Sequence, residues 1–281
     1  MRPPPLAAFA SLAGLALGPL AAHAQKPAAP PSAASRPDLG RLRKALETGG
    51  EGEKLAALRE LSAAAGPSAG PAAALVSELL VRGASVPVVT LGLEVQGKLA
   101  QPAASASMAA YVRHRTPEVR RAAARALAST GGPEAVAALR AALRGSDAAL
   151  RRDAASGLRT LKAKDAVPDL FSVLGKDVPE AASAIGTLCG APDCQRLADL
   201  LGKLPFDLMQ SGLEPILLRP EAEVPEDLKL ELLERLRRLQ TGEASTFLKT
   251  VRARYPKEGS ARVRAGLEAA VSGRPVKKPE P

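Results

Sequence analysis

The chain has 281 residues, of which 46% are hydrophobic, yet aromatic residues make up only 2% and tryptophan is absent. Alanine and leucine supply most of the apolar mass, and both enter helices at little entropic cost, which favours thin helical layers over a thick sandwich needing bulky filling. The net charge of +10, with a pI near 9.9, bears on partners and solubility rather than on fold.

At the N-terminus, Arg2 precedes an apolar run over 6–22 that ends in Ala22-His23-Ala24 before Gln25. A charged start, a short apolar stretch and an A-x-A pattern predict a secretory signal peptide over 1–24. The run is short for a membrane span, and Pro19 interrupts it. Residues 25–37 carry Pro27, Pro30, Pro31 and Pro37 and read as a Pro/Ala-rich linker. Residues 273–281, with Pro275, Lys277, Lys278, Pro279 and Pro281, read as a disordered tail. The mature chain is expected to be soluble, without a transmembrane span, and periplasmic or secreted.

Between these ends the pattern is helical. Segments 55–65 and 71–82 predict one helix pair, and 86–99 and 102–112 another. The strongest signal follows: TPEVRRAAARAL from Thr116 recurs about 31 residues later as DAALRRDAASGL from Asp147. Val119 maps to Leu150, Arg120 to Arg151, Ala123 to Ala154 and Leu127 to Leu158. A third copy follows after about 27 residues, with Leu158 mapping to Ile185 and Leu170 to Leu197. Thr116 with Pro117 predicts a helix start, Asp147 and Asp165 predict the next two caps, and Gly131-Gly132-Pro133 marks a turn. Residues 38–204 thus read as tandem repeats. In the atypical stretch 205–272, 208–218 predicts a lone helix, 227–239 and 244–255 a longer pair, and 261–271 a terminal helix. No strand-like alternation persists.

The stretch from Pro117 to Asp147, PEVRRAAARALASTGGPEAVAALRAALRGSD, resembles the short bacterial HEAT repeat, of the type also seen in phycobilisome lyases. The residues that carry the likeness are Val119, Arg120, Ala122, Ala123, Ala126 and Leu127, then Ala135, Val136, Leu139 and Leu143. The fit is good over 117–201, fair over 55–112 and poor after 204. The resemblance implies an all-α fold, an α-solenoid of stacked antiparallel helix pairs forming a HEAT-like superhelix, with the second helices on the concave side. It also implies a structural role for Arg120 and Arg151. It does not imply lyase activity, because fold does not fix function.

Candidate chemistry is sparse. His114, the only histidine after the signal segment, reads as a solvated loop residue between Arg113 and Arg115. No H-E-x-x-H, G-x-S-x-G or phosphate-binding glycine loop occurs, so no catalytic residue, metal ligand or cofactor is assigned and a non-enzyme is expected. Cys189 and Cys194 are the only cysteines and flank a predicted turn. In an exported chain a disulfide is the leading reading, with free thiols, a redox pair or a metal site as alternatives.

Charge is unevenly distributed. Residues 113–164 hold 12 basic and 4 acidic side chains, 165–223 hold 4 and 10, and 224–281 hold 13 and 8. A solenoid keeps sequence neighbours together, so separate basic and acidic zones are expected. Arg82, Arg113 and Arg144 recur at the repeat spacing and predict a ridge, continued out of register by Lys176 and Lys203. Helix capping by these cations is the competing explanation. The candidate binding residues are Arg113, Arg121, Arg125, Arg140, Arg144 and Arg152.

The expected function is an exported HEAT-repeat scaffold mediating protein–protein interaction, non-catalytic, whose partner is a protein with an acidic face. The alternatives are a solenoid binding an anionic envelope glycan or membrane surface, and a lyase-like enzyme subunit. Nucleic acid fits poorly, since only two Tyr and four Phe are available for base stacking.

Overall fold

The structure, a computed structural model, describes residues 37–176 and 178–276. The expected signal peptide, the linker up to Arg36 and the tail from Lys277 lie outside the described residues. Among the described residues there are fifteen α-helices and no strand, and none of the helices is long and apolar enough to cross a membrane.

The helices alternate between two layers. The first layer holds α2 (Glu51–Leu61), α4 (Val86–Leu99), α6 (Pro117–Thr130), α8 (Ala148–Thr160), α10 (Pro179–Leu188), α12 (Phe206–Leu218) and α14 (Gly242–Arg254). Each of these packs on the next in that order, so this even-numbered layer is continuous. The odd layer holds α1 (Leu39–Thr48), α3 (Ala69–Arg82), α5 (Ser105–Ala109, extended by a 3-10 turn over Ala110–Arg113), α7 (Pro133–Leu143) and α9 (Val167–Phe171). It resumes with α11 (Ala191–Ala198), α13 (Glu226–Leu239) and α15 (Ala261–Val271). Arg196 of α11 lies over the ring of Phe171 at the end of α9, 4.1 Å from its centroid, and joins the two stretches. This is an all-α solenoid of stacked antiparallel helix pairs, with its apolar residues buried between the layers in one continuous core.

The repeated residues explain the layers. Val119, Ala123 and Leu127 on α6, and Leu150, Ala154 and Leu158 on α8, are all buried at equivalent places. Small residues let even-layer backbones touch. A Cβ on Gly97 would stand 3.2 Å from the Cα of Ala126, and one on Gly186 would stand 1.9 Å from the carbonyl oxygen of Gly212. The α10–α12 contact is therefore backbone against backbone, and no other residue type fits there.

Several local expectations need correction. Asp147 does cap α8, accepting the Leu150 N–H at 3.1 Å, but Asp165 sits inside a 3-10 turn and caps nothing; Ala166 precedes α9. Helix α12 is not a lone helix. It packs on α10, α11 and α14, while α13 packs on α14 as predicted and on α15. Helix α1, capped by Asp38, adds a turn of the stack ahead of the first predicted pair. Within the tail expected from Gly273, Val276 is held: it is buried, and its N–H donates to Glu234 on α13 at 3.1 Å.

Candidate functional site

The six candidate arginines do not converge on one patch. Arg121 and Arg125 lie on α6 and Arg152 on α8, in the even layer, whereas Arg140 lies on α7 and Arg144 caps it, in the odd layer. Arg113 ends the 3-10 turn after α5. Most of them pair across to the next repeat. Arg121 and Arg125 share Asp153, each at 3.4 Å. Arg140 and Arg144 share Asp169, at 2.6 and 3.3 Å. Arg152 approaches Glu180 at 4.0 Å. Exposed pairs of this kind contribute about 0.2–1 kcal/mol each, so they align neighbouring repeats more than they stabilise them. They also stitch the expected basic zone to the acidic one, because Asp169 and Glu180 belong to the acidic stretch. Separate zones are thus less distinct than the linear charge count implies.

What the fold does bring together is Arg113 and Arg144. Both line an open groove of about 530 Å³ between the turn at 112–116 and the turn at 144–147, with His114, Arg115, Arg120 and Asp147. The adjacency supports part of the predicted ridge. Tyr111 ties this turn to the preceding repeat by donating to the Leu80 carbonyl at 2.6 Å, two residues before Arg82.

The groove has a hydrogen-bonded floor and an exposed rim. Arg120 Nη2 donates to Asp147 Oδ2 at 2.6 Å, and its Nη1 donates to the carbonyls of His114 and Arg115 at 3.0 and 3.1 Å. This one guanidinium joins two successive turns, and its hydrogen bond holds the Asp147 carboxyl below its ordinary range, aided by the Leu150 N–H. Arg151 repeats the motif by donating to the Gly145 carbonyl at 2.9 Å. His114 is half-buried rather than solvated: its Nδ1 accepts the Thr116 N–H at 3.1 Å, so it shapes the turn. Arg113, Arg115 and Arg144 are exposed at the rim. Among the described residues neither Arg113 nor Arg115 has a carboxylate partner. The arrangement therefore presents cationic, hydrogen-bond-donating side chains to an anionic group without an acid competing for two of them.

A second polar centre, absent from the sequence reading, lies at the turn between α12 and α13. Lys229 is fully buried, and its Nζ donates to the Arg219 carbonyl and to Glu221 Oε1, the latter at 3.0 Å. The Tyr255 hydroxyl donates to the same Glu221 oxygen at 2.9 Å. Burial alone would raise the Glu221 carboxyl, but the Lys229 and Tyr255 hydrogen bonds outweigh it and hold it at about 2. Burial, with the Glu221 contact, pushes the Tyr255 hydroxyl up. Arg219 links this centre to the cysteines. Cys189 and Cys194 form a buried disulfide with Cα atoms 5.3 Å apart, and Arg219 Nη1 donates to the Cys189 carbonyl at 2.9 Å. Leu218, Arg219, Glu221 and Tyr255 line a cavity of about 160 Å³ there. Every charged group in this centre has a partner within the chain, which marks it as a clamp between repeats. Among the described residues no group of three His, Cys, Asp or Glu side chains converges as a metal site would.

A HEAT-repeat family model matches residues 78–159 and 106–189. No curated protein matches the chain in sequence. In structure the chain is similar to the CpcE–CpcF complex of phycocyanin lyase from Nostoc sp. PCC7120, at 16% identity and a TM-score of 0.44, covering 86% of this chain and 97% of that one. It is similar to a designed armadillo repeat protein in complex with the peptide (KR)4, at 14% identity and a TM-score of 0.42, covering 84% and 99%. It is also similar to human deoxyhypusine hydroxylase, at 16% identity and a TM-score of 0.39, covering 84% and 95%. The matched residues 78–189 run from α3 to the end of α10, where the repeated helices stack in register. That part of the stack matches HEAT repeats, and the described residues form an α-solenoid.

Proposed function

We propose that this chain is an exported, non-catalytic scaffold that binds the acidic face of a protein partner at the groove between the turns at 112–116 and 144–147. The observation that carries the reading is the rim: Arg113 and Arg115 have no carboxylate partner among the described residues, and Arg144 is exposed beside them. At this rim Arg113 and Arg115 meet a partner's carboxylates without a competing acid, and Arg144, which shares Asp169 with Arg140, is exposed enough to turn to them. Arg120, held by Asp147 and two carbonyls, keeps the turns in place while the rim side chains adjust. Such a surface steers an acidic partner and fixes its orientation more than it supplies affinity.

A labelled oligo-glutamate peptide probes the groove directly by fluorescence anisotropy. Binding is expected at low salt, weakening as salt rises. The triple variant Arg113→Glu, Arg115→Glu, Arg144→Glu should bind at least about tenfold more weakly, a loss of about 1.4 kcal/mol. Binding that the triple variant leaves intact would move the site elsewhere. Export is tested separately: the mature protein should be recovered outside the cytoplasm with Gln25 as its first residue, and recovery in the cytoplasm with Met1 intact would contradict it.

A further inference from the structure

The even layer also carries two exposed surfaces of opposite sign, away from the loop-edge groove. Between α12 and α14 lies an open groove of about 820 Å³, lined by Asp207, Glu214 and Glu243 and by no lysine or arginine. Phe206 and Phe247 meet edge to face inside it, their ring centroids 5.7 Å apart. Glu214 pairs with Arg254 at 2.5 Å, whereas Asp207 and Glu243 have no basic partner among the described residues. In a chain with 39 basic and 29 acidic residues, a groove holding three carboxylates and no cation is the reverse of the average surface.

The same layer carries the complement. Arg121 and Arg125 on α6 and Arg159 on α8 are exposed, with Asp153 the acid shared by the first two. Helix α10 lies midway between α6–α8 and α12–α14 in the order of the layer. Its half-buried outer side carries Ser183 and Thr187, small polar residues, with Glu180 at the same face beside Arg152.

We propose that this layer binds a second copy of the chain. A two-fold axis running along α10 sets the arginine strip of each protomer on the acidic groove of its partner, so every contact is made twice, as an isologous interface requires. The guanidinium groups of Arg121 and Arg125 then meet Asp207 and Glu243 of the partner subunit, beside the half-buried ring of Phe206. The charge pattern also selects the orientation. Setting α6 on α6 would oppose arginine to arginine, and that like-charge contact disfavours the alternative.

The test is the oligomeric state of the mature chain by sedimentation velocity over a range of concentrations. A dimer is expected at about 50 mM salt that dissociates towards monomer at about 500 mM, where surface charges are screened. Two charge-reversed variants make the test specific. Asp207→Lys with Glu243→Lys makes the groove and the strip both basic. Arg121→Glu with Arg125→Glu makes both acidic. Each variant alone should be monomeric, with a dissociation constant raised at least about tenfold, and an equimolar mixture of the two should dimerise, because both contacts are again complementary. Dimerisation of the mixture also shows that both variants are folded. A parent chain that is monomeric throughout, a dimer that persists in both variants, or variants with the parent's circular dichroism that stay monomeric when mixed would each overturn the proposal. The residues of the oligo-glutamate test are untouched here, so the two readings stand or fall separately.

Discussion

Replacing Gly186 by alanine should destabilise the chain even though alanine is the better helix former. The gain from helix propensity is about 1 kcal/mol. Against it, a Cβ at this position would stand 1.9 Å from the carbonyl oxygen, 2.7 Å from the carbonyl carbon and 2.9 Å from the Cα of Gly212. All three are backbone atoms, so no side-chain rotation relieves the clash. Helices α10 and α12 would have to part by roughly 1 Å or more to restore ordinary contact distances. Overpacking of this kind costs about 1–3 kcal/mol where side chains can give way, and here they cannot. The expected net loss is about 2 kcal/mol or more, read as a lower urea midpoint by circular dichroism at 222 nm. Gly52 on α2 is the control: a Cβ there meets nothing within 4 Å, so Gly52→Ala should be neutral or stabilising by up to about 1 kcal/mol. If Gly186→Ala were as stable as the parent while Gly52→Ala behaved as expected, the close contact between α10 and α12 would be refuted.

Two further outcomes follow from the centre between α12 and α13. Glu221 has its carboxyl lowered from the ordinary 4.5 to about 2, so its contribution is fully present above about pH 4.5 and is lost as pH falls towards 2. That contribution is at most about 3 kcal/mol, and Glu221→Gln should flatten the acid limb of a stability-versus-pH curve; an unchanged limb would show that the Lys229 contact is not made. Opening the disulfide with Cys189→Ala and Cys194→Ala should cost about 2 kcal/mol in the chain-entropy description of so short a loop, and an unchanged urea midpoint under oxidising conditions would mean that the bridge does not constrain the chain.

The repeats from α6 to α10 were legible because their buried positions are filled by alanine, valine, leucine and isoleucine at helical spacing and recur almost in register. The register of α12 was not. The turns between Asp199 and Pro205 lengthen the connection from α11, and Pro215 interrupts the helix pattern, so the sequence spacing no longer announces the stacking on α10. Lys229 escaped for another reason: a lysine inside Leu-Lys-Leu reads as a solvent-facing position, and only the distant Glu221 and the Arg219 carbonyl allow it to be buried. The arginines were read as a surface feature because their partners lie about one repeat downstream. Arg121 and Asp153 are 32 residues apart, and Arg140 and Asp169 are 29 apart. An acid one period after an arginine is a signal the sequence holds, and a count of charge by blocks conceals it. The rim of the groove was half legible, since Arg113 and Arg144 recur by period but Arg115 does not.

Removing one whole period tests the account most directly. Deleting residues 116–146 joins Arg115 to Asp147 and makes α8 the neighbour of α4 in place of α6. The 31-residue repeat brings Gly157 to where Ala126 packs against Gly97, and Leu158 to where Leu127 is buried. Each substitution keeps or reduces volume at the contact, so the shortened stack can close. The expected result is a soluble chain that unfolds cooperatively and loses only the helical signal of α6 and α7, 14 and 11 residues long. A collapse of helical signal across the whole chain, or loss of cooperative unfolding, would contradict a tandem stack.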